Sequence, residues 1–224
     1  MSPNITKLQE QLIDKLRVKM NLDFDFEIVP VQTESFSVEK QCYSNVAEKV
    51  KRDGGQIHYG WSIHFTDGII VEAERHAVWE NDEEDLLCIT QNPSKHTKII
   101  FFSDNTPVDP KLQIDNVRMN ITNNILVSDW IYLCDTIGLI FYKYTDRIND
   151  FEVNVEKPVH QLITEIEQWR GYVMGLIQKG KKENSKCFCE DGYYSGKKYL
   201  QCHGKSFRKL IPVLLKSIEK FAKR

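Results

Sequence analysis

No apolar run in this 224-residue chain is expected to reach the roughly 18 residues that a membrane helix needs. The first twenty residues, MSPNITKLQEQLIDKLRVKM, are amphipathic and charged and lack an apolar core segment, so no secretory signal is expected there. Together these absences lead to the expectation of a cytoplasmic protein with no membrane partner. No glycine-rich phosphate loop is present: Gly54-Gly55 closes an expected helix instead of opening one, which argues against a nucleotide-dependent enzyme. There is no internal repeat and no low-complexity tract. With 41% hydrophobic and 28% charged residues the composition is globular and excludes global disorder.

The small net charge of −2 conceals an uneven distribution. Residues 181–224 carry 12 of the 30 Lys/Arg and 4 of the 32 Asp/Glu, so a basic tail follows an acidic body. A basic tail can meet nucleic acid, a ribosome or an acidic protein surface, or it can be a solvated helix. We therefore divide the chain into a body, 1–180, and a C-terminal module, 181–224.

Hydrophobic spacing predicts an amphipathic helix over 5–20 and an alternating strand over 24–32. A short helix is expected from Cys42 to Asp53. Asp67-Gly68 is a hairpin signal between two runs rich in β-branched and aromatic residues, and DLLCIT and KIIFF read as two further strands. Residues 103–124 read as loop. Helices are expected over 125–144, from Pro158 to about Gln178, and from about Ser206 to Ala222. The fold class expected is α+β: an antiparallel sheet flanked by helices, with a small C-terminal module.

Six cysteines are present, three of them scattered and three crowded near the C-terminus. Cys187 and Cys189 lie two apart. Cys202 follows, with His203 beside it. Clustered Cys with an adjacent His reads as a metal site before it reads as disulfides. Zinc takes four such ligands in a closed tetrahedral site. The strings CFC, SGKKY and CHG resemble the SEC-C motif, the zinc-binding tail of SecA-type translocation ATPases and of many other bacterial proteins. EDGYY before Ser195 makes the loop longer than usual in that motif. The resemblance implies zinc held by Cys187, Cys189, Cys202 and His203, and docking toward protein or ribosomal partners.

A second constellation lies in the body. Cys42 opens a helix and His76 stands on a later strand. A helix N-terminus and an imidazole are what an activated thiol needs. CYSNV and HAVWEN…LLCIT are similar to the patterns of papain-like and transglutaminase-like folds. That resemblance implies a thiol-dependent amide hydrolase or acyltransferase with Cys42 as nucleophile and His76 as base, acting on a protein substrate. Where the pattern has an aspartate, this chain has Cys88, so Asn92 is the expected orienting group. The alternative is a non-catalytic, zinc-dependent adaptor, in which Cys42 is a small core residue. A rival metal set, Glu72, Glu74 and His76, shares one face of the same strand. His58 and His64 have no partner that the sequence identifies.

Overall fold

The computed structural model describes residues 5–66, 68–91, 96–107, 114–148, 152–189 and 196–223. The elements run α1 (Lys7–Met20), β1 (Glu27–Pro30), α2 (Cys42–Asp53), β2 (Gln56–Thr66), β3 (Ile70–Glu80), β4 (Leu86–Leu87), β5 (Lys98–Ser103) and β6 (Val117–Asn120). Then follow α3 (Ile125–Tyr144), β7 (Thr145–Arg147), β8 (Val153–Val155), α4 (Lys157–Gln178) and α5 (His203–Ile218), with single 3-10 turns at Tyr199–Gln201 and Glu219–Phe221. The chain forms two compact units that divide near residues 109–119. The first holds the sheet. The second holds α3, α4, α5 and the cysteine-rich segment.

In the first unit, β2 and β3 pair antiparallel over eleven residues each, from Gln56↔Glu80 to Thr66↔Ile70. Strand order is β1-β5-β2-β3-β4, and β6 also pairs with β3. Beyond β4 the chain returns to β1: Cys88 N–H donates to the Pro30 carbonyl (2.9 Å), and Gln32 N–H donates to that of Cys88 (2.9 Å). This contact nearly closes the sheet. Val29, Val78, Cys88 and Phe101, drawn from both flanks, form one buried cluster. Ala77 points to the other side of the pleat and joins Cys42, Val46 and Ile89 in a second, against α2. Gly60 is required here, since a Cβ would lie 2.2 Å from the Phe101 ring.

Local chemistry sets the helix bounds. Thr6 and Gln9 form a reciprocal capping box at the start of α1. Gly54, at φ +79°, ends α2 where the sequence places its end. In the first turn of α2, the buried Asn45 amide bonds both the N–H and the carbonyl of Val38, which precedes the helix, and reaches the Thr90 hydroxyl, which fixes the approach to Cys42.

Arg75 is buried among apolar neighbours on β3. Its guanidinium donates to Asp104 Oδ2 (2.7 Å) and to the carbonyls of Asp104 and Thr106, and it lies over the Trp61 ring. Trp61 Nε1 donates to the same Asp104 oxygen (2.9 Å).

In the second unit, α3 is 20 residues long with a mean hydropathy of 1.5, so it is long and apolar enough to cross a membrane. This corrects the expectation that no stretch reaches that length. Half of the stretch is buried by protein. It packs against α4 and α5 as the core helix of its unit.

Candidate metal centre and the Cys–His sites

The cysteine-rich segment is a small folded loop. Lys186 bridges Lys198 antiparallel, and Cys187 N–H donates to the Lys197 carbonyl (3.0 Å). Tyr199 N–H donates to the Ser185 carbonyl (2.8 Å) and Leu200 N–H to that of Glu183 (2.9 Å). Gly196 takes φ +69°, a left-handed conformation that suits glycine. Cys202 then ends the 3-10 turn and His203 is the first residue of α5. That helix starts three residues earlier than the sequence suggested.

These elements aim four ligand atoms at one point. Cys187 Sγ lies 3.3 Å from His203 Nδ1, Cys189 Sγ lies 3.4 Å from Cys202 Sγ, and Cys202 Sγ lies 3.4 Å from His203 Nδ1. All four ligand atoms fall within 4.8 Å of one another. Bonds of ~2.0–2.3 Å to a tetrahedral zinc would separate ligand atoms by roughly 3.3–3.8 Å, so the donor set fits a metal of that size. Burial pushes the Cys202 thiol up to about 12, and the neighbouring Cys189 and Cys187 sulfurs add to the shift. Sulfurs this crowded give up their protons when a cation offsets the charge. The four residues can thus hold a metal ion, and no other such group occurs among the described residues.

An aromatic shell backs the ligands. Phe188 lies against the His203 ring (4.5 Å) and stacks on Tyr172 (5.1 Å, 17°), while Phe207 packs with Trp169 (5.4 Å) and His203 (5.5 Å). Behind it, Tyr199 Oη donates to the Asp129 carboxylate of α3 (2.9 Å). Burial raises the Asp129 carboxyl above its ordinary range, against the pull of Tyr199 and Arg208.

Cys42 does open α2, as expected, but its surroundings are those of a core thiol. It is 7% exposed and packs with Val46, Ala77 and Ile89. Burial pushes its thiol up to about 12, although backbone N–H groups of Ala77 and Tyr43 pull the other way. His76 is also desolvated. Burial takes its imidazole down to about 4, opposed by Glu74 and reinforced by His64. Among the described residues no hydrogen bond joins Cys42 to His76. Instead His76 Nε2 meets Cys88 Sγ at 3.3 Å. The residue that replaces the expected aspartate therefore contacts the histidine after all, as a thiol that burial keeps protonated. Asn92 lies outside the described residues. The rival set does not converge: Glu72 pairs with Arg118 (3.3 Å), and Glu74 with His64 (3.5 Å).

His58, without a partner identifiable in the sequence, has two in the structure. Nδ1 faces Glu80 Oε2 (2.6 Å) and Nε2 faces Ser103 Oγ (3.0 Å). This has the spacing of a Ser–His–carboxylate triad. However, the Ser103 hydroxyl donates to Glu27, so its proton is not directed at His58. The line joins β1, β5, β2 and β3 and serves the sheet. Only cross-strand register brings these residues together, which is why no local motif announced them.

No family model matches the chain, and no curated protein or solved structure matches it.

Proposed function

We propose that the chain is a zinc-binding protein of the SEC-C type, a cytoplasmic adaptor whose metal-ordered C-terminal segment docks an acidic partner. One observation carries this reading: four thiol and imidazole ligand atoms, contributed by two short segments, converge within 4.8 Å. A segment this short cannot build its own core, so metal binding would supply much of its folding free energy. The 12 basic against 4 acidic residues of 181–224 supply the docking charge. Elemental analysis of freshly purified protein tests it: about one zinc per chain is expected, lost in Cys202→Ser. Less than about half an equivalent would end the reading.

A second reading, a papain- or transglutaminase-like thiol hydrolase or acyltransferase, is favoured by a separate observation. Cys42 heads α2 against Ala77, and the next residue on that strand, His76, is met by Cys88. We rank it second because a buried thiol near 12 and an imidazole near 4 both stay uncharged at neutral pH, and no hydrogen bond joins Cys42 to His76 among the described residues. The pH dependence of iodoacetamide alkylation at Cys42 in the zinc-loaded protein decides. Rapid modification at pH 6 that His76→Ala abolishes would reverse the ranking.

A further inference from the structure

We infer that Cys189 and Cys202 form a peroxide-sensitive redox switch that releases the metal. The inference rests on the zinc site proposed above and adds its regulation. The Cys189 and Cys202 Sγ atoms stand 3.4 Å apart. Closing them to the ~2.0 Å of a disulfide takes roughly 1.4 Å of side-chain movement. The third thiol ligand, Cys187, also neighbours Cys202. It is 4% exposed, however, its Sγ faces His203 Nδ1 at 3.3 Å, and its N–H is tied to the Lys197 carbonyl. Cys189 and Cys202 are both only half-buried, so a small solute reaches them before it reaches Cys187. Cys42, Cys88 and Cys134 are buried. Solvent therefore meets one pair of closely placed sulfurs, and both belong to the ligand set.

The oxidant is hydrogen peroxide. One of the two thiolates attacks it, the O–O bond breaks, the sulfur keeps one oxygen as a sulfenic acid and hydroxide leaves. The other sulfur then attacks the first, the S–S bond forms and the oxygen leaves as a second hydroxide. The two sulfurs have lost two electrons, the peroxide has gained them, and protons from solvent complete two waters. Cys187 and His203 remain, and two ligands do not make the closed four-ligand site that zinc requires, so the ion leaves. Cys202 stays tethered to Cys189, while His203, the first residue of α5, loses its anchor beside Phe188. Disulfides in a reducing compartment are mostly of this transient, sensing kind.

The test treats the full-length, zinc-loaded chain with excess hydrogen peroxide. Released zinc is followed with a chromogenic chelator, and disulfides are mapped by mass spectrometry of unreduced peptides. Release of about one zinc per chain is expected, in step with the loss of two thiols and the appearance of a single Cys189–Cys202 linked peptide. Cys187, Cys42, Cys88 and Cys134 should remain thiols. Dithiothreitol followed by zinc should restore the metal content. A chain that keeps its zinc under excess peroxide overturns the inference and leaves the zinc reading standing. Metal release with Cys187 in the disulfide overturns the assigned pair. Release with sulfinic or sulfonic acids in place of a disulfide, which the reductant does not reverse, overturns the switch. A freshly purified chain without zinc overturns the zinc reading first, and this inference with it.

Discussion

Tyr199 and Asp129, 70 residues apart, meet in a hydrogen bond of 2.9 Å that neither side shares with water: the tyrosine is fully buried and the aspartate 1% exposed. Asp129 sits in the apolar helix α3 and Tyr199 lies three residues before the ligand Cys202. The bond therefore ties the cysteine-rich segment to the core of its unit. Arg208, at 3.5 Å, is the carboxylate's other cation-side neighbour and is largely in solvent.

Removing one partner leaves the other buried without its bond. Tyr199→Phe deletes the donor and strands a carboxylate, so it should cost more than Asp129→Asn, which keeps an oxygen for the tyrosine. We expect ~2–3 kcal/mol for the first and ~1 kcal/mol for the second. Urea unfolding followed at Trp130 and Trp169, both in the helical unit, measures this. Equal losses would mean that the burial of Asp129, not its bond, sets the cost.

Arg75 and Asp104 supply a second pair, with the Arg75 side chain 5% exposed and that of Asp104 22%. Burial works against the Asp104 carboxylate, but the Thr106 hydroxyl, the Trp61 indole and the Arg75 guanidinium outweigh it and hold it below its ordinary range. Asp104→Ala leaves the guanidinium uncompensated and should cost about 3–5 kcal/mol. Arg75→Met combined with Asp104→Leu should recover most of that loss, because an apolar replacement of a buried pair is often close to neutral. A double-mutant cycle on the unfolding midpoint decides. A double variant as weak as Asp104→Ala would show that the carbonyls of Asp104 and Thr106 depend on Arg75 for more than charge.

The extent to which the sequence announced these features follows interaction range. Cys42–Asp53 was legible as a helix because Gly54 marks its end locally, and the β2–β3 hairpin was legible from its alternating runs and turn. The two-residue β4 and three-residue β7 and β8 carry no period long enough to detect, and β6 hides in a polar stretch. The four ligands were legible because close spacing forces them together. Arg75–Asp104, Tyr199–Asp129 and His58–Glu80 were not, since register and helix packing alone decide those pairs. The partner of His76 shows both sides: the sequence points to the position of Cys88, while the fold decides that a thiol there still reaches Nε2.

His76 makes stability in the first unit pH-dependent. Its folded-state pKa, about 4, lies below the ~6.5 of an unfolded histidine. Above pH 6.5 both states are neutral and the full stability is present. As pH falls from 6.5 toward 4 the unfolded chain takes up a proton that the folded chain refuses, and stability is lost. The loss amounts to at most about 3 kcal/mol over that window. His76→Gln should remove this slope between pH 6.5 and 5, where carboxylates contribute least. Unfolding midpoints of the two proteins, read at Trp61 and Trp79, should converge as pH falls. Parallel curves would place the imidazole in a wetter setting than its packing indicates.

Metal removal should act on one unit only. The ligands lie on the segment before α5 and on its first residue, so a chelator deprives that helix of its anchored start and frees the Phe188 and Phe207 packing against His203. Helical signal should fall, and Cys187, Cys189 and Cys202 should become reactive to a thiol reagent. Cys42 and Cys88, 7% and 3% exposed in the sheet unit, should stay protected. Cys202→Ser should reproduce the chelator's effect without any chelator. Thiol counting by mass spectrometry separates the outcomes: three modified cysteines after chelation is the expected result. Five or more would mean that loss of metal also unfolds the sheet. None would mean that the four side chains hold their arrangement by packing alone, without needing a metal.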